Sequence, residues 1–73
     1  MEPKRRAPLA GEIYTHYKGN VYTIVGIGQL EADPDQRLVI YSDDSHTWLR
    51  PIDDFLSDVE IHGEVVPRFS LNS

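Results

Sequence analysis

The middle of the chain alternates between apolar runs and short polar turns, a pattern typical of β-strands rather than helices. The runs are rich in β-branched and aromatic residues, and the turns contain glycine, asparagine or aspartate. A short Gly-Asn turn at 17–20 separates the first two runs and predicts a β-hairpin. The predicted strands cover residues 12–16, 21–27, 37–41, 47–50, 59–61 and 64–66.

The strongest strands carry apolar residues on both faces, so they need cover on both sides or a sheet that curls closed. Gly26 and Gly28 predict a bulge or bend in the second strand. Residues 30–36 predict a polar loop with a turn at Asp-Pro-Asp. Pro51 ends the fourth strand and opens a predicted helical turn at 51–56. Together these elements predict an all-β fold, a small SH3-like barrel of five to six short antiparallel strands.

The chain of 73 residues has room for one domain. We place that domain at residues 11–69, between a flexible basic N-terminal tail at 1–10 and a short C-terminal tail at 70–73. The chain has no cysteine, which excludes disulfides, a thiolate nucleophile and cysteine-bound zinc, and favours a cytoplasmic location. Its apolar runs are too short to span a membrane.

The formal net charge is −5, and it is unevenly distributed. The N-terminal tail carries the basic cluster 4–6, whereas the rest of the chain has four basic side chains against eleven acidic ones. Because non-specific nucleic-acid binding depends on neutralising phosphates, this acidic body disfavours it. A local basic patch remains compatible with that balance.

Four short motifs occur in a fixed order along the chain. They are Gly11-x-x-Tyr14-x-His16-Tyr17-Lys18-Gly19-Asn20-x-Tyr22, Val39-Ile40-Tyr41, Trp48-x-Arg50-Pro51-x-x-x-Phe55 and Gly63-x-x-x-Pro67-Arg68-Phe69. This arrangement resembles the bacterial domain-of-unknown-function family sixteen-fifty-three over residues 11–69. The chain departs from the family pattern at 30–34, which lacks a Glu-Thr pair, and at 42–46, which is shorter and more acidic. The resemblance implies a small SH3-like barrel, but it assigns neither an activity nor a catalytic or binding residue.

Metal and enzyme chemistry find little support in the sequence. His16, His46 and His62 are separated by 30 and 16 positions, whereas zinc motifs place two ligands close together. The acidic pairs at 43–44 and 53–54 fit a turn and the first turn of a helix. We expect no cofactor, and a small metal-dependent protein or enzyme is the least favoured interpretation.

Aromatic and basic residues form the remaining candidate site. The candidate binding residues are Tyr14, His16, Tyr17, Lys18, Tyr41, Trp48, Arg50 and Arg68. We expect Trp48, Phe55 and Phe69 in or near the core, and Tyr14 and Tyr17 at the surface. Arg50, beside Trp48, is expected either to stack or to pair with a carboxylate such as Asp53 or Asp54.

This composition predicts a non-enzymatic interaction module that binds a peptide or protein partner. The alternative is binding of single-stranded nucleic acid or RNA through an aromatic and basic face. The position of Lys18, Arg50 and Arg68 discriminates between them, because the alternative requires these cations to lie beside exposed aromatic rings. Exposed strand edges also leave a homodimer open.

Overall fold

Seven strands and one short helix make up residues 5–72, the part of the chain that the computed structural model describes. The elements are β1 (Ile13–His16), β2 (Val21–Leu30), β3 (Asp33–Ser42), β4 (Thr47–Pro51), α1 (Ile52–Phe55), β5 (Asp58–Ile61), β6 (Glu64–Pro67) and β7 (Phe69–Leu71). The predicted all-β fold and the helical turn after the fourth strand are confirmed. The strands in these residues number seven rather than the predicted five to six, because residues 69–71 pair with β1 as a further strand. The first four residues of the predicted basic tail lie outside the described residues.

The strands form two antiparallel sheets. One has five strands in the order β4-β3-β2-β1-β7, and the other is the β5-β6 hairpin. In the larger sheet β1 pairs with β2 on one side and with β7 on the other, which makes β4 and β7 the two edges. The closed SH3-like barrel stays a prediction.

The prediction of a polar loop at residues 30–36 is wrong. β2 continues to Leu30 and β3 begins at Asp33, so only two residues form the turn between them. A register shift between Gln29 and Leu30 accommodates Pro34, and the Gln29 side chain donates to the Pro34 carbonyl at 3.0 Å. This hairpin tip is exposed to solvent on both faces, so no hydrophobic alternation marks it in the sequence.

The predicted irregularity in β2 is confirmed by a second register shift, between Ile24 and Gly26. A bulge of this kind bends the strand and increases its twist, which curls the sheet around its inner face. Gly28 instead leaves room for a neighbouring side chain, because a Cβ there would lie only 3.3 Å from Cδ1 of Ile40.

A cluster of aromatic and branched side chains fills the inner face of the larger sheet under α1. Its buried members are Tyr14, Ile24, Val39, Tyr41, Phe55 and Phe69. Phe55 and Phe69 lie in the core as predicted, with stacked rings 4.1 Å apart. Two burial predictions are wrong. Tyr14 is buried because β1 has a neighbour on each side, whereas Trp48 is 43% exposed because it lies on the edge strand β4.

The segment before β1 contacts the body of the domain. Arg5 donates to the carbonyl of Leu56 at 2.9 Å and pairs with Asp58 at 2.6 Å, and Pro8 is buried. At the other end, β7 runs through Leu71 and so includes two residues that we placed in the C-terminal tail. Within residues 5–72 no helix has the length and apolar character needed to cross a membrane.

Candidate functional site

Three of the candidate residues lie at the turn that joins β1 to β2. Gly19 adopts a positive φ of 106° and donates its N–H to the carbonyl of His16 at 2.7 Å, which closes the turn. The Lys18 N–H donates to Nδ1 of His16 at 3.2 Å. The Tyr17 ring lies 4.4 Å from the His16 ring, and the Lys18 ammonium lies 5.8 Å from the Tyr17 ring. The turn therefore holds an imidazole, a phenol and an ammonium together.

His16 is neutral near pH 7 and presents a donor. Burial lowers its pKa, and the positive charges of Arg50, Lys18 and Arg68 lower it further. Because Nδ1 accepts the Lys18 N–H, the ring proton of the neutral form belongs on Nε2. The ring meets Phe69 edge-on at 4.9 Å, so its orientation is fixed.

Arg50 extends from β4 over the core. Its Nε donates to the Tyr41 hydroxyl at 3.2 Å, and its Nη1 pairs with Asp54 at 2.5 Å, which confirms the predicted partner at 53–54. The guanidinium carbon lies 5.5 Å from the centre of the Phe69 ring. Burial acts to lower the pKa of Arg50, but the hydrogen bonds to Tyr41 and Asp54 outweigh it and keep that pKa above its ordinary value.

Arg68 lies between β6 and β7 and joins the β1-β2 turn to the end of α1. Its carbonyl accepts the Tyr17 N–H at 2.9 Å, and its own N–H donates to the Ser57 carbonyl at 3.0 Å. Its Nε donates to the Ser57 hydroxyl at 3.0 Å, and Asp54 Oδ1 lies 4.0 Å away. The charges of Arg68, Arg50 and Lys18, three of the four basic side chains found after residue 10, thus all act on His16.

Trp48 is exposed but held in place. Its Nε1 donates to Asp43 Oδ2 at 3.2 Å, and the His46 ring packs against the indole at 4.9 Å. The other carboxylate oxygen of Asp43 accepts the N–H groups of Ser45 and His46 at 2.8 and 2.7 Å. These hydrogen bonds lower the pKa of Asp43, so the carboxylate that orients the indole is ionised at neutral pH.

The structure separates the eight candidate residues into two groups. Tyr14 and Tyr41 are buried in the core, although the Tyr41 hydroxyl reaches Arg50. The other six define what we call the basic-aromatic surface, which consists of His16, Tyr17, Lys18, Trp48, Arg50 and Arg68. Tyr41 connects its two ends, since it pairs with Trp48 in the β3-β4 ladder and binds Arg50 through its hydroxyl.

Sequence reasoning missed the polar groups that hold this surface in place. It assigned Asp43 only to a turn, and it assigned Asp54 only to a helix terminus or a structural ion pair. It did not consider Ser57. The four-residue spacing of Arg50 and Asp54 across the strand-helix junction was a usable signal. Within residues 5–72, no three histidine or acidic side chains come close enough to hold a metal ion.

Comparison with known proteins identifies a family but assigns it no function. No curated protein and no solved structure gives a significant match to the chain. The model of the family described as "Protein of unknown function (DUF1653)" matches residues 12–71, which covers all seven strands. The resemblance inferred from the four sequence motifs is therefore confirmed, and the chain belongs to the DUF1653 family.

Proposed function

We propose that this protein is a non-enzymatic interaction module that binds a peptide or protein partner through the basic-aromatic surface. The observation that carries the proposal is Trp48, a large aromatic side chain that is 43% exposed and fixed by Asp43 and His46. Tryptophan and arginine are the residue types that most often dominate the energy of protein interfaces. Here Trp48 and Arg50 lie two residues apart on one edge strand.

Fixing the indole before binding favours affinity. A partner that packs on a mobile side chain must first restrict its rotamers, which costs about 0.5–1.5 kcal/mol for each side chain. The Asp43 hydrogen bond and the His46 ring have already restricted Trp48. Covering the exposed part of the indole therefore contributes to binding with little loss of conformational entropy.

The experiment is a selection of random peptides on the full chain, followed by affinity measurements on the enriched sequences by calorimetry. Trp48→Ala should weaken them by at least about tenfold, the loss typical of a hot-spot residue. Leu49→Ala is the matched control, because Leu49 is its neighbour, is 61% exposed and alternates to the other face of the strand. Enrichment of no sequence, or equal losses in the two variants, would count against the proposal.

Binding of single-stranded nucleic acid is the second candidate, and one observation favours it. The Lys18 ammonium lies 5.8 Å from the exposed ring of Tyr17, and the positive charges of Arg50 and Arg68 act on the adjacent His16. The acidic remainder of the chain opposes a long polyanion. Oligothymidylate at low salt tests this function directly, since phosphate contacts are strongest there, and absence of a gel shift under those conditions would refute it.

A further inference from the structure

We infer that the basic end of the basic-aromatic surface is a carboxylate-binding site, and that it receives an acidic side chain of the peptide partner. This inference rests on the proposed function and gives its partner a chemistry. The site, which we call the anion site, consists of Arg68, Arg50, His16 and Lys18. Nothing in the family assignment points to it.

The two guanidinium groups are oriented before any ligand arrives. Nε of Arg68 donates to the Ser57 hydroxyl at 3.0 Å, which restrains the guanidinium group. Arg50 is held at Nε by Tyr41 and at Nη1 by Asp54. Both side chains are partly buried, with 25% and 29% of their surfaces exposed. An arginine fixed in this way offers a planar pair of donors that matches a carboxylate.

The charges at the site are incompletely balanced. Within residues 5–72, the ion pairs of these cations involve one carboxylate, that of Asp54. It contacts Arg50 at 2.5 Å but stays 4.0 Å from Arg68, so the charge of Arg68 is only partly compensated. His16 adds an N–H donor without adding charge, and Lys18 adds a further cation on the adjacent turn. The site is therefore positive on a molecule whose net charge is negative.

Charge complementarity favours a short acidic segment of a protein over a nucleic acid. The anion site can compensate one or two negative charges, whereas a polynucleotide places one on every residue. At the other end of the surface, the Asp43 carboxylate lies beside Trp48 and would repel a second run of phosphates. A peptide can place one carboxylate at Arg68 and an uncharged residue on Trp48.

The probe is capped hexaglutamate, titrated into the full chain at fixed ionic strength and followed by NMR, with capped hexaglutamine as the neutral control. We expect hexaglutamate to shift the signals of His16 and of the Arg68 side chain, and hexaglutamine to leave them unchanged. Arg68→Gln should weaken binding by about tenfold, as expected for the loss of a charge-assisted hydrogen bond. Arg37→Gln is the matched control, because Arg37 is exposed and is not among the cations that act on His16.

Lys18→Gln provides a second test on the exposed turn, where loss of the ammonium leaves the core intact, and it should weaken binding severalfold. Equal losses for Arg68→Gln and Arg37→Gln would show that only net charge matters and would overturn the inference. Tighter binding of hexathymidylate through the same residues would overturn it in favour of nucleic acid. If hexaglutamate fails to bind while selected neutral peptides still depend on Trp48, the anion site is refuted and the proposed function stands.

Discussion

Phe69 is the ring at which the core and the basic-aromatic surface meet, so a substitution there tests the packing of both. Its side chain is 4% exposed and stacks on Phe55 at 4.1 Å. It contacts Tyr41 edge-on at 5.5 Å and His16 at 4.9 Å, and the Arg50 guanidinium lies over it at 5.5 Å. Phe69→Leu removes the aromatic ring while keeping most of its volume.

The loss can be estimated from these contacts. An aromatic pair contributes about 0.5–1.5 kcal/mol beyond its buried area, and a partly buried cation–π contact about 1 kcal/mol. The contacts share one ring and do not add, so we expect a total loss of about 2–3 kcal/mol. A domain of this length is stable by about 4–11 kcal/mol. The variant should therefore fold with substantially reduced stability.

Urea denaturation followed by the fluorescence of Trp48 measures this loss directly. With a slope of about 1 kcal/mol/M for a domain of this size, the midpoint should fall by about 2–3 M. Leu49→Ala serves as the control because Leu49 is 61% exposed, and its effect should stay within about 0.5 kcal/mol. A loss below about 1 kcal/mol for Phe69→Leu would refute the view that the ring cluster supplies a main part of the stability.

The remaining predictions concern pH, the held indole and one turn. Burial and nearby cations lower the pKa of His16 in the folded protein, so the unfolded chain binds the proton more tightly and stability falls as the pH drops below about 6.5. His16→Gln should flatten that part of the plot of urea midpoint against pH. Parallel plots for the variant and the unsubstituted protein would contradict this prediction. Asp43→Ala should free the Trp48 indole and increase its quenching by acrylamide, whereas unchanged quenching would show that the hydrogen bond does not restrain it. Gly63→Ala should lower the stability measured by thermal unfolding by about 1 kcal/mol, because the φ of Gly63 is 82°. Gly26 has neither a positive φ nor a close neighbour, so Gly26→Ala should change stability by less than about 0.5 kcal/mol. Equal effects of the two substitutions would refute the backbone argument.

The fold could be predicted where a local pattern determines it. The β-branched runs, the Gly-Asn turn and the proline before a short acidic segment were sufficient for the hairpins and for α1. The tip of the β2-β3 hairpin could not be predicted, because residues exposed on both faces carry no hydrophobic period. Burial of Tyr14 and exposure of Trp48 depend on whether a strand is central or at an edge, which is a property of the sheet order.

The candidate site shows the same limit. Residue types identified Arg50 and Arg68 as candidate binding residues, and the short chain distance from β4 into α1 explains why Arg50 meets Asp54. Arg68 reaches the same carboxylate from a segment that follows the β5-β6 hairpin, and no short-range pattern encodes that approach. The support from Ser57 likewise arises only when the chain returns to pair with β1.

The pairing of β7 with β1 has a consequence for the order in which the domain assembles. The β2-β3 ladder joins neighbours in the chain, whereas the Thr15–Asn72 hydrogen bond that flanks the β1-β7 ladder joins residues 57 positions apart. Closing so large a loop carries the larger entropic cost, so we expect this ladder to form late in folding. Phe69 arrives with β7, and Arg68 immediately precedes it. The anion site is then completed only when β7 docks, and a partly folded chain lacks it. An acidic ligand would therefore bind and stabilise only the fully folded domain.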